Sequence, residues 1–266
     1  MKKALIWGTM ALMAASLLFT SCKRTSEADT DTSSAEDQSQ GEMVYDQVYK
    51  QVDESANTKG LQKGAYPVIQ IDTTAAPRTM SIYYGDSNYL CNDGSYRRGT
   101  IIVSWTGRYR ATGTIISISF SNFYQNDNKV EGTKTVTNNG RNAAGLLSFT
   151  VVVNGKITCV DGLTHTWNSN RTRTWISGET TLISSDDVYE ISGTTNGVNR
   201  KGLTYNAVIT KNLKVDLSCE WRITSGIIEI TPSGKAMRSI DFGNGACDKL
   251  ITISMNGKSK TIERRK

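Results

Sequence analysis

The chain has 266 residues, with 31 Lys and Arg against 25 Asp and Glu, and a formal net charge of +6. About 245 residues remain beyond the N-terminal apolar segment, which is enough for one large β domain or two small ones with a buried core. No later stretch is long or apolar enough to span a membrane as a helix.

Residues 1–22 have the organisation of an export signal. Lys2 and Lys3 supply the charged start, and residues 4–19 form a short apolar run. The ending Phe-Thr-Ser-Cys resembles the lipobox of bacterial lipoproteins. The resemblance implies cleavage before Cys22 and lipidation of that cysteine, whereas an incidental cysteine after a plain signal peptide and an uncleaved anchor are the alternatives.

Residues 23–64 are predicted to form an acidic, flexible tether. They hold 5 Lys and Arg against 9 Asp and Glu, a net charge of −4, and residues 23–42 show no apolar periodicity. A short helix is predicted within residues 43–59, because Val44, Val48 and Val52 recur every fourth residue. This helix either docks on the following domain or belongs to the tether.

Residues 65–266 carry the opposite charge, with 24 Lys and Arg against 16 Asp and Glu, a net charge of +8. Such a domain favours anionic partners, of which lipopolysaccharide and acidic glycans are examples. The alternative is an ordinary soluble surface with a surplus of basic side chains. Nucleic acid is a poor fit, because the export signal separates the protein from it.

The same residues predict an all-β domain of antiparallel strands. Apolar and polar residues alternate over 116–120, 203–209, 215–223 and 251–255, as expected for strands with one buried face. Asn-Gly and Asp-Gly pairs punctuate the strands as hairpin turns. Four short segments form two matching pairs, in which the first segment resembles the fourth and the second resembles the third. Repeated hairpins are therefore expected. A β-sandwich or barrel is the preferred architecture, and an elongated single-layer sheet is the alternative.

Four cysteines follow the signal, and their even number in an exported chain predicts disulfides. Pairing about the turn at 232–234 places Cys219 opposite Cys247, so these two are the candidate disulfide. Cys91 and Cys159 both occupy Cys-x-Asp-Gly turns, and their state stays open.

No catalytic or metal-binding motif is present in the sequence. The one histidine, His165, has no nucleophile motif near it, and the cysteine spacing does not suit zinc. Carboxylates for a glycosidase exist at Asp186, Asp187, Glu220 and Glu229, but surface positions are the default interpretation. We therefore expect no enzyme, no metal and no cofactor.

Aromatic side chains near arginines give the candidate ligand-binding residues. Trp167, Trp175, Arg171 and Arg173 lie close together in the sequence, and this combination suits sugar stacking and hydrogen bonding. Cross-strand core packing is the competing interpretation. Trp105 and Trp221 share the alternation of inward isoleucines and are expected in the core.

The signal, the acidic segment and the Gly-punctuated repeats, as in residues 241–248, resemble small lipoproteins of unknown function from Bacteroidota. The resemblance implies an outer-membrane lipoprotein on the periplasmic or cell-surface side and brings no site residues. The expected function is non-catalytic binding of a glycan or surface ligand. A structural or assembly component of an outer-membrane complex is the alternative, and a glycoside hydrolase is the least favoured.

Replacing the lipidated cysteine tests the anchor. The substitution Cys22→Ser removes the thiol that would carry the lipid, so the protein is expected to leave the membrane fraction. Fractionation and blotting of producing cells measure this, with Ser21→Ala as the matched control that keeps membrane association. Equal membrane association of both variants would contradict the predicted anchor.

Overall fold

The computed structural model describes residues 29–57, 66–181 and 183–264, so residues 1–28, including Cys22 and the signal, lie outside the described part. The described part contains one α-helix and fourteen strands. In chain order they are α1 Ser33–Asn57, β1 Val68–Asp72, β2 Arg78–Tyr83, β3 Tyr89–Leu90, β4 Tyr96–Trp105, β5 Ile115–Gln125, β6 Asn128–Arg141, β7 Leu147–Thr158, β8 Thr164–Ser177, β9 Val188–Val198, β10 Thr204–Asp216, β11 Ile223–Pro232, β12 Arg238–Asn244, β13 Leu250–Met255 and β14 Lys258–Glu263.

All strands belong to one antiparallel sheet whose order follows the chain. Each strand pairs with the next, except that β2 pairs with β4 while the short β3 pairs with β4 beside it. The predicted all-β fold of successive hairpins is confirmed. Of the two predicted architectures, the single-layer sheet is the one observed, since the described strands form one sheet and no second sheet packs on it.

The sheet is strongly curled around helix α1. The side chain of Gln47 accepts a hydrogen bond from Gln125 in β5, and Gln47 also lines a small cavity with Phe242 of β12. In a flat sheet these strands, seven steps apart, would be separated by about 33 Å. The helix is only about 10–12 Å wide. One helix position therefore contacts both strands because the sheet bends around it.

Helix α1 fills the concave side of the sheet. Its fourth-residue apolar pattern, Val44, Val48 and Val52, is buried in the common core as that periodicity predicts. Between residues 33 and 56 only Glu54 and Ala56 are exposed. No helix in the described ranges has both the length and the apolarity that a membrane span requires.

The prediction of a flexible tether is wrong for residues 29–42. Helix α1 begins at Ser33, ten residues before the predicted start, and Asp37 is fully buried. The sequence pattern failed there because polar contacts, not apolar residues, hold this part of the helix. Asn199, for example, donates hydrogen bonds to the hydroxyl oxygens of Ser33 and Ser34 at 2.9 and 2.8 Å.

Ion pairs between the acidic N-terminal segment and the basic sheet explain the burial. Each acidic partner lies between residues 29 and 46, and each basic partner comes from the sheet or its loops. The pairs are Asp29 with Lys235 and Arg238, Asp31 with Lys201, Glu36 and Asp37 with Arg200, Glu42 with Arg171, and Asp46 with Lys134. The opposite net charges of the two segments are thus brought together within one chain.

The convex face of the sheet is polar and carries a row of amides. Asn154, Asn168, Asn196 and Asn206 are in direct register on β7 to β10, and all four are exposed. This face accounts for the many polar residues at alternate strand positions. The alternation of apolar and polar residues therefore correctly predicted that the sheet has two different faces. Only the concave face is covered.

Removing one buried carboxylate of the interface tests its contribution. Asp37 accepts hydrogen bonds from the backbone and side chain of Arg200, and Asp37→Asn leaves that guanidinium with only the more distant carboxylate of Glu36, at 3.9 Å. We expect the free energy of unfolding to fall by about 3 kcal/mol. Lys249→Ala, which breaks the exposed pair with Glu263, is expected to cost less than about 1 kcal/mol. Equal losses in denaturant titrations would contradict the buried ion-pair interface.

The buried histidine predicts acid sensitivity. His165 is fully buried, neither ring nitrogen has a hydrogen-bond partner, and burial lowers its pKa to about 4. Protonation in the unfolded chain near its ordinary pKa therefore destabilises the fold as pH falls from about 6.5 towards 4. His165→Phe, which keeps a ring against Trp167, should remove about 2–3 kcal/mol of this loss. Unfolding titrations at several pH values measure it, and parallel curves for both proteins would contradict it.

Candidate functional site

A cavity of about 280 Å³ opens between the C-terminal half of α1 and the concave side of β8 to β10. Helix α1 contributes Tyr49 and acidic side chains to one wall. The sheet contributes Arg173 and Tyr189, and the turn between β10 and β11 contributes Arg222. The volume lies near the lower end of the range for small-molecule sites.

Arg173 is held in a box of aromatic rings. Its guanidinium carbon lies 4.7 Å from the ring centroids of both Tyr49 and Tyr189 and 5.1 Å from that of Phe149. Its side chain donates hydrogen bonds to the hydroxyl oxygens of Tyr49, at 3.3 Å, and Tyr109. The buried Nε has no hydrogen-bond partner. The rings fix the orientation of a cation that is only 6% exposed.

Arg222 approaches the same cavity from a constrained turn. Its backbone φ of 59° lies in the left-handed region, which costs a non-glycine residue about 1–3 kcal/mol. The backbone amide of Arg222 donates to the carbonyl of Cys219, and Nη1 donates to the carbonyl of Leu217 at 2.8 Å. Burial lowers the pKa of the guanidinium from its ordinary value. The turn therefore holds a buried charge in an unfavourable backbone conformation.

The disulfide that fixes this turn is the predicted one. Cys219 and Cys247 are bonded, with Cα atoms 5.5 Å apart, which confirms the pairing. The continuous strand predicted over 215–223 is wrong, because β10 ends at Asp216 and Cys219 lies in the turn. Cys91 and Cys159 are free thiols.

Two of the acidic side chains that line the cavity have cationic partners. Asp46 lies 3.8 Å from Lys134, and Glu54 lies 3.6 Å from Lys50. At the neighbouring edge, Asp187 accepts hydrogen bonds from Trp175 Nε1 at 3.1 Å and the Tyr189 hydroxyl at 3.2 Å. Burial raises the pKa of the Asp187 carboxyl to about 6. None of these contacts pairs a carboxylate with Arg173 or Arg222.

The four predicted ligand-binding residues do not form an exposed patch. Trp167, Trp175, Arg171 and Arg173 are only 3–6% exposed, because they point to the concave face that α1 covers. Trp167 packs edge-on against Tyr45, and Arg171 pairs with Glu42. The prediction that these four residues form an accessible binding site is therefore wrong. Of the four, only Arg173 lines the cavity.

The predicted core tryptophans are also corrected. Trp105 and Trp221 are half-buried rather than buried, since Trp105 ends β4 and Trp221 lies in the turn before β11. Sequence reasoning missed Tyr49, Tyr189 and Arg222. Tyr49 lies within the predicted helix of residues 43–59 but carries no signal of a site, and nothing in the sequence around Arg222 signals its backbone conformation. In the described ranges no cluster of three or more side chains is arranged to hold a metal ion.

No family model, curated protein or solved structure matches this chain.

Proposed function

We propose that this protein is a lipid-anchored envelope protein whose curled sheet binds a glycan or another small surface ligand without catalysis. The features of residues 1–22 support the anchor. The observation that carries the binding function is the open cavity with Arg173 and Arg222 on its walls. A volume of about 280 Å³ suits one sugar residue or a ligand of similar size.

The cavity supplies the groups that sugar recognition uses. The hydroxyl of Ser218 and the phenol of Tyr49 are hydrogen-bonding groups, and the two guanidiniums donate. Because the box of rings already orients Arg173, binding would not require that side chain to be ordered first. The proposal assigns no catalytic residue.

Assembly through the strand edges is less favoured. Edge strand β14 presents Lys258 and Lys260, and edge strand β1 is flanked by Pro67 and Pro77. Lysine and proline are the residues that proteins use to keep sheet edges from pairing with other chains. The edges of this sheet therefore do not favour a docking function.

A glycan array probed with the full-length protein tests the binding function. We expect a defined set of glycans to bind, and Ser218→Trp at the cavity mouth to abolish the signal by filling the space. Ser218→Ala removes a hydroxyl that bonds to Asp216 without filling the cavity, so binding should weaken far less than with Ser218→Trp. Thr172→Trp, on the exposed face of β8, is the size-matched control and should also bind.

Two outcomes would contradict the proposal. One is the absence of any ligand on the array and in a small-molecule library. The other is binding that Ser218→Trp leaves intact, because the ligand would then lie outside the cavity.

A further inference from the structure

We propose that the ligand of this cavity carries a carboxylate, bound jointly by Arg173 and Arg222, so that an acidic sugar is the class of ligand. This inference rests on the proposed binding function and adds the chemistry of the ligand. It stands on the two arginines, the acidic wall opposite them and the shape of the turn that holds Arg222.

Three of the other buried arginines pair with carboxylates, and a fourth, Arg264, donates to three backbone carbonyls. Arg97, Arg171 and Arg238 each pair directly with a carboxylate, from Asp93, Glu42 and Asp29 respectively. Among the residues that the structure describes, no ion pair joins a carboxylate to Arg173 or Arg222, although Asp46, Asp53 and Glu54 act on Arg222 from a greater distance. A buried charge is costly unless it is paired. Both unpaired cations line the same cavity, so an anion entering it would supply what they lack.

The conformation of Arg222 is an independent observation. Within the described ranges five non-glycine residues have positive φ, and four of them are Asn or Asp, which tolerate this conformation through their short polar side chains. Arg222 is the exception. Backbone strain of this kind concentrates at binding sites, where the geometry of the side chain matters more than stability. The turn closed by the disulfide keeps the left-handed backbone conformation of Arg222 and so directs its guanidinium into the cavity.

The surroundings select a single carboxylate over a more highly charged anion. Two guanidiniums bind a carboxylate with strong, directional hydrogen bonds. The helix wall carries Asp46, Asp53 and Glu54, which offset part of the positive potential of the arginines, and a phosphate dianion costs more to desolvate than a carboxylate. Hydroxyl groups of Ser185 and Ser218 at the same cavity suit the hydroxyls of a sugar ring.

A matched ligand series tests the charge requirement on the full-length protein by isothermal titration calorimetry. The probes are oligosaccharides ending in glucuronic acid, the same sugars as the methyl ester, the glucose equivalents, and inorganic phosphate. We expect the acid to bind at least about tenfold more tightly than the ester or the glucose form. Equal affinity for acid and ester would overturn the carboxylate assignment while leaving sugar binding intact, and tighter binding of phosphate would overturn it as well. Absence of binding for every probe, with glycans bound elsewhere on an array, would also overturn it.

Variants of the turn test the residue assignment without relying on a damaged fold. Glycine accepts a φ of 59°, so Arg222→Gly should keep or raise the unfolding temperature while weakening acid binding at least about tenfold. Asn122→Gly makes the same kind of backbone change at φ 45°, away from the cavity, and should leave binding unchanged. Unchanged acid binding in folded Arg222→Gly would overturn the role of Arg222. The acid affinity of Arg173→Lys is a second measurement, made once circular dichroism has confirmed that this variant is folded.

Discussion

The enclosure of an acidic helix by a curled, basic sheet is the constraint on which the rest of the structure depends. A single antiparallel layer has one apolar face, and that face must be covered to be stable. Here no second sheet covers it in the described part of the chain. Helix α1 does so, with Val44, Val48 and Val52 in the core and ion pairs around its N-terminal half.

The cavity is a consequence of this enclosure. Toward its C-terminal half α1 no longer fills the concave space, and the gap is bounded by Tyr49 on the helix and Tyr189 on the sheet. Arg171, beneath the paired half, is neutralised by Glu42, whereas Arg173, two residues along β8, contacts rings and no carboxylate. The same strand thus contributes one arginine that is paired with the helix and one that lines the cavity.

Much of the sheet could be predicted from the sequence because strand alternation and Asn-Gly turns are local signals. The pairing of Cys219 with Cys247 followed from hairpin register. The start of α1 at Ser33 could not be predicted, since its first turns are polar and are stabilised by residues more than a hundred positions away. Nor could alternation show that the face bearing Trp167 would be covered by a helix, which is why an exposed aromatic site was expected. The left-handed conformation of Arg222 is set by the disulfided turn and has no local signature.

Amide hydrogen exchange over residues 33–57, measured by mass spectrometry on the intact protein, tests the enclosure most directly. A helix enclosed by the sheet should exchange with protection close to that of the central strands β6 to β8, because it opens only when the sheet opens. Exchange of residues 33–42 at the rate of an unfolded peptide would show that the segment is a tether after all. That result would contradict the ion-pair interface to which Asp37 and Glu42 belong.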